Sequence, residues 1–126
     1  KAVVSSVLTK NEWNGKDSYS MSTQQDTLPN AQILGSWSFP AGDANAGRVT
    51  LHLKRGDVVW FRSDSKTDMQ KIIVEGGTRP FIEDAPNAPQ WTALEFSRAG
   101  LPAEFDVTFV DGGNGWGEWM ALGFKK

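Results

Sequence analysis

The strongest constraint in this sequence is the period of its apolar residues. Val49, Leu51 and Leu53 alternate with Thr50, His52 and Lys54, and Phe105, Val107 and Phe109 alternate with Asp106, Thr108 and Val110. Thr92, Leu94 and Phe96 alternate with Ala93, Glu95 and Ser97, and Met120, Leu122 and Phe124 alternate with Trp119, Ala121, Gly123 and Lys125. Side chains that return to the same side every second residue belong to strands, and an apolar/polar alternation buries one face of a sheet and wets the other. No stretch of about a dozen residues keeps the i, i+3, i+4, i+7 spacing of an amphipathic helix. The chain is therefore predicted to be all-β.

Further strands are predicted at Val3–Leu8, Ser18–Thr23, Ile33–Phe39, Val58–Arg62 and Lys71–Glu75, for about eight or nine in all. The connectors agree. Asn14-Gly15 and Asn114-Gly115 are dipeptides that tolerate positive φ in tight turns, and Arg55-Gly56-Asp57 reads as another tight turn, a hairpin between two strong strands. Pro40–Gly47 reads as a small-residue loop and Ile82–Gln90, with Pro86 and Pro89, as a longer irregular one. Many short strands with frequent turn signals predict one antiparallel β-sandwich over residues 1–126, a jelly roll being one winding open to it, with a closed barrel as the alternative. A chain of 126 residues matches one domain.

Composition removes whole classes of chemistry. With no cysteine and a single histidine, disulfides, thiolate nucleophiles, Cys-based zinc sites, iron–sulfur clusters and multi-histidine metal sites cannot form within the chain. Thirteen Lys+Arg against fifteen Asp+Glu leave no basic excess for nucleic acid. No window approaches about eighteen consecutive apolar residues, so no transmembrane helix is expected. Nor is there a charged and then apolar leader pattern, and both a secreted and a cytoplasmic location stay open.

Catalytic signatures are missing. A Ser-His-Asp arrangement would have to use His52, which the alternation turns to the solvent side beside Thr50 and Lys54. No nucleophile elbow, phosphate loop, dinucleotide fingerprint or H-E-x-x-H occurs. Glu83, Asp84, Glu95, Glu104, Asp106 and Glu118 are candidates for a paired-carboxylate glycosidase, but nothing in their spacing pairs two across a cleft. Calcium has oxygen donors to consider at Asp111-Gly-Gly-Asn114 and Asp43-Ala-Asn45, yet neither has the EF-hand pattern and each is poor in carboxylates. No cofactor and no metal are expected. Arg55-Gly56-Asp57 matches the integrin-binding tripeptide, and the turn itself accounts for it. Lys54, Arg55, Arg62, Lys66 and Lys71 are interspersed with Asp57, Asp64 and Asp68, a mixed solvated surface.

The six tryptophans are the other unusual feature. Asp111-Gly-Gly-Asn114-Gly-Trp116-Gly-Glu118-Trp119 places two rings among glycines, an amide and carboxylates. Sugar recognition asks for that mixture: a ring stacks on the C–H face of a pyranose while polar groups bond its hydroxyls. If Met120, Leu122 and Phe124 face inward, Trp119 faces outward. Trp91, at the end of a Pro-rich loop, is a further binding candidate. Trp13 is a candidate for exposure, whereas Trp37 and Trp60, beside Ile33, Phe39 and Val58, are assigned to the core. The predicted ligand-binding set is Trp91, Asp111, Asn114, Trp116, Glu118 and Trp119.

One stretch has a familial look. Within Gly47–Ser65, Gly56 and Asp57 lead into an apolar strand with Trp60 and Arg62, followed by Ser63 and Ser65. This resembles the PixA/AidA inclusion-body protein family, over that stretch alone. The resemblance implies a small, non-catalytic bacterial β-protein made in bulk, with no catalytic residues to transfer. The leading functional expectation is a non-catalytic, lectin-like module that binds glycan or another surface ligand. The alternatives are a self-associating structural protein, whose exposed rings form a homo-oligomer interface, and a membrane-active protein whose loop tryptophans enter the headgroup layer.

Overall fold

The computed structural model describes residues 4–13, 28–36, 47–63, 69–77, 79–96, 100–113 and 119–125. The predicted Ser18–Thr23 strand, the Asn14-Gly15 and Asn114-Gly115 turns, Asp43-Ala-Asn45 and Trp37 lie outside these residues. A one-turn helix α1 (Val4–Val7) leads into β1 (Leu8–Asn11), followed by β2 (Ala31–Gly35), β3 (Gly47–Lys54), β4 (Val58–Ser63) and β5 (Gln70–Glu75). Then come β6 (Phe81–Asp84), β7 (Thr92–Glu95), β8 (Glu104–Asp111) and β9 (Met120–Lys125). Every pairing is antiparallel. The strands form a five-stranded sheet, β1-β3-β8-β5-β6, and a four-stranded sheet, β2-β9-β4-β7. From β2 to β9 the chain changes sheet at each step except the β5–β6 hairpin, which is the winding of a jelly roll with β1 added at one edge. No described helix is long and apolar enough to cross a membrane.

The alternation read from the sequence is the packing. Val49, Leu51 and Leu53 of β3, Phe105, Val107 and Phe109 of β8 and Ile72 and Val74 of β5 are buried between the sheets. They meet Leu34 of β2, Val59 and Phe61 of β4 and Met120, Leu122 and Phe124 of β9. Phe61 and Phe109 stack across the interior with ring centroids 6.0 Å apart, joining one sheet to the other.

Three elements differ from expectation. Val4–Val7 is helical where a strand was predicted; Val4 and Val7, three apart, are both buried and so share the one face that a single turn can bury. Phe81–Asp84 is a strand that overlaps the loop predicted from Ile82; all four residues are exposed, so no alternation marks it, and its pairing with β5 creates it. The Arg55-Gly56-Asp57 turn does not close a hairpin, because β3 and β4 belong to different sheets. It is nonetheless tight: the Asp57 amide donates to the Lys54 carbonyl at 2.9 Å, and Gly56 takes φ 92°. Positive φ at the third residue is the type II geometry that favours glycine.

Between β6 and β7 the chain crosses from one sheet to the other along residues 85–91, and this crossing is pinned at both ends. The Ala85 amide donates to the Gln70 carbonyl and the Ser63 amide to the Ala88 carbonyl, while the Ser63 hydroxyl donates to Pro86 O at 2.7 Å and accepts from the Ala88 amide. Ser63 is 1% exposed, so a buried hydroxyl is repaid by two bonds.

Candidate functional site

Period two decides which side of a strand a residue takes, and the cross-strand register then decides its neighbours. On the outer face of the four-stranded sheet, Ile33, Gly123, Trp60 and Ala93 form one row across β2, β9, β4 and β7. Gly35, Ala121 and Arg62 form the next row. Cross-strand neighbours lie about 4.5–5.5 Å apart, so this face is a narrow floor of small side chains beside large ones. Gly123 is its lowest point. A Cβ added there would lie 2.5 Å from Leu28 Cδ2, 3.3 Å from Trp60 Cβ and 3.4 Å from Trp91 Cζ3. Leu28 thus seats on bare backbone, with Trp60 and Trp91 on either side.

Two cations belong to the same face. Lys125 Nζ stands 4.2 Å from the centroid of the Trp60 ring, and the Arg62 guanidinium carbon 5.9 Å from that of Trp119. Arg62 Nε also donates to the Pro89 carbonyl at 2.9 Å. One side chain therefore ties Trp119, just before β9, to the crossing that delivers Trp91 to the sheet.

The predicted tryptophan environments are largely rearranged. Trp119 does fall on the side opposite Met120, but it is 6% exposed. The alternation identifies the outer face without revealing that this face is itself covered: Ala121 beside it is fully buried too. Trp60, assigned to the core, is half-buried on the outer face, because the unbroken run Val58-Val59-Trp60-Phe61 carries no alternation to orient it. Trp13, expected to be exposed, is fully buried; its indole N–H donates to the Gly47 carbonyl at 3.2 Å and its amide to Asn11 Oδ1 at 2.9 Å. Trp91 is half-buried, with its ring reaching the Gly123 floor.

Asp111 belongs to the interior. It is 1% exposed, and its Oδ1 accepts from Gln70 Nε2 at 2.8 Å and from the Gly113 amide at 3.2 Å. It sits at the inward-facing end of β8, in register with Phe105, Val107 and Phe109, so it braces the strand end and is removed from a surface ligand set. Asn114, Trp116 and Glu118 lie outside the described residues. Of the six predicted site residues, then, the structure brings Trp91 and Trp119 to one face, separates Asp111 from them, and adds Trp60, Arg62 and Lys125.

The candidates for other chemistry resolve as follows. His52 is exposed on the outer face of the five-stranded sheet, as predicted, between two acids: Nδ1 lies 2.8 Å from Asp106 Oδ1 and Nε2 lies 2.9 Å from Glu104 Oε1. Its hydrogen bond with Asp106, and then that with Glu104, raise its pKa above the ordinary value. The ring stands between the two carboxylates, so the three groups do not converge, and no group of three or more metal-ligating side chains occurs among the described residues. The Asp57 carboxylate accepts from the Lys54 amide at 2.8 Å, which spends it on its own turn.

No known family profile matches this chain, and no curated protein matches it. Among solved structures, it is similar to the C-terminal extracellular domain of Mycobacterium tuberculosis EmbC, with 16% sequence identity over 77% of this chain and 44% of that one, at a TM-score of 0.43. The chain thus spans less than half of that domain's length, and no residue role is carried across.

Proposed function

We propose that this jelly-roll domain is a non-catalytic recognition module that binds carbohydrate on the outer face of its four-stranded sheet. The observation that carries the reading is the pair of half-buried tryptophans, Trp60 and Trp91, that flank Leu28 where it covers the backbone of Gly123 on the outer face of the sheet. A pyranose ring offers a flat apolar C–H face to such rings, and its hydroxyls need donors and acceptors around the rim. Arg62 and Lys125 supply donors. Lys125 now holds the face of Trp60. A sugar that takes its place gives up an exposed cation–π contact worth about 0.5–1 kcal/mol, which is within reach of the stacking gained.

The non-catalytic part of the reading faces its strongest challenge elsewhere, where Glu83, Asp84 and Glu95 border one cleft. Turnover of chromogenic glycosides, lost in Glu83→Gln or Glu95→Gln, would replace it with a paired-carboxylate mechanism. The binding part is tested on a glycan array carrying neutral and acidic sugars. The reading expects at least one class to be retained and to be lost in Trp91→Ala and Trp60→Ala. An empty array, or retention unchanged in both variants, sinks it.

A further inference from the structure

The charges on the outer face of the four-stranded sheet are unequally engaged. Lys125, at the end of β9, holds its ammonium 4.2 Å from the centroid of the Trp60 ring, and among the described residues it joins no ion pair. Its cross-strand neighbour on β2 is Ala31, so no acid stands beside it there. Arg62 is committed elsewhere: its Nε donates to the Pro89 carbonyl and its guanidinium lies against Trp119. Glu95 is the acid of this face among the described residues. It belongs to the edge strand β7 and is in register with Val58 of β4, on the far side of that strand from β9.

Resting on the carbohydrate reading of this face, we infer that the sugar it takes is acidic, with a carboxylate or sulfate ester that meets Lys125 Nζ. The selection works by exchange of partners. A sugar that stacks on Trp60 displaces the ammonium, which then loses the negative face of the ring. A neutral sugar returns only a hydroxyl to it. An anionic sugar returns a charge-assisted hydrogen bond, roughly twice as strong as a neutral one. Lys125 is the residue able to make the exchange, because its stem is flexible and its three donors rotate, whereas the planar fork of Arg62 is held at Pro89 and Trp119. Glu95 sets the direction. Like charges repel, so the acid group of the sugar belongs at the β9 side and its hydroxyls at the β7 side.

An array of gluco-, galacto- and manno-configured oligosaccharides tests this on the intact chain, each carried as the neutral sugar, the uronate, the uronate methyl ester and the 6-sulfate. In the configuration that is retained, the uronate or the sulfate is expected to bind about fivefold more tightly than the neutral sugar and the ester, the upper end for one exposed ion pair. Added salt should narrow that preference. Lys125→Met keeps a stem against Trp60 and removes the charge, and it should bring acidic and neutral sugars to the same affinity. Lys71→Met makes the same change of net charge on the other sheet, where Lys71 pairs with Asp84, and should leave the preference intact. Retention of neutral sugars that Trp91→Ala abolishes, with no preference for their acidic forms, overturns this inference and leaves the carbohydrate reading standing. So does a preference that survives Lys125→Met or falls equally in Lys71→Met. An empty array overturns both.

Discussion

At the scale of single residues, His52 shows what register adds to sequence. The alternation of β3 places it on the wet side of the strand, as read from the sequence, but its partners are more than fifty positions away. Antiparallel pairing puts His52 opposite Asp106 and Lys54 opposite Glu104, and the imidazole lies between the two acids. Both hydrogen bonds favour the imidazolium, so the folded-state pKa is raised. The contribution to stability is then fully present below the unfolded value of about 6.5 and is lost as pH rises through the folded value. Side-chain NMR titration should find His52 titrating above about 6.5, falling toward it in Asp106→Asn and falling less in Glu104→Gln. All three groups are exposed, so added salt should narrow the shift. Glu12 has the opposite sign. Its carboxylate accepts from the Arg48 amide at 3.0 Å and pairs with Lys10, which lowers its pKa; that contribution is present above the unfolded value and lost as pH falls through the folded one.

At the scale of elements, what was legible follows from what each pattern encodes. Strands with one buried face announced themselves, and β3, β8 and β9 are found close to their predicted bounds. β6 could not be read, since a fully exposed edge strand carries no apolar period and exists through its pairing with β5. Tryptophan environments were misjudged for a related reason. Period two separates the two sides of β9 but is silent about Leu28, Trp60 and Trp91, which converge on Gly123 from three other segments. Asp111 looked like a surface acid in a glycine-rich loop. Being the last residue of β8, in step with three core residues, it is drawn inside and bonded to Gln70. The most consequential element-level contact is Phe61 of β4 against Phe109 of β8, because it ties the sheets face to face. Phe61→Ala should cost about 3–5 kcal/mol in urea unfolding, the range for emptying a large aromatic site in a core. Truncating the exposed Phe81, in contrast, should cost well under that.

For the whole molecule, the winding governs both folding and the placement of sites. Among the described strands the β5–β6 hairpin is the one pairing between chain neighbours; β3–β8, β2–β9 and β4–β9 join segments far apart in sequence. Loop closure must come before these pairings reward it, so refolding from urea is expected on the scale of milliseconds to seconds. Microsecond refolding would contradict this topology. The same winding leaves three distinct outer regions. The five-stranded sheet presents a charged face around His52, the β6–β7 side opens an acid-rimmed apolar cleft, and the four-stranded sheet carries Trp60, Trp91, Arg62 and Lys125 over a small-residue floor. Composition alone had pointed from six tryptophans to a surface that touches something. The surface proposed for that contact is the broad side of the four-stranded sheet.

The central claim is that this broad side receives a sugar ring. Its most direct test is calorimetric titration of an array-selected oligosaccharide into the wild-type chain, Trp91→Ala and Phe81→Ala. Saturable binding at one site, weakened at least about tenfold, or about 1.4 kcal/mol, by Trp91→Ala and unmoved by Phe81→Ala, is the result predicted. Binding that Trp91→Ala leaves intact would contradict it.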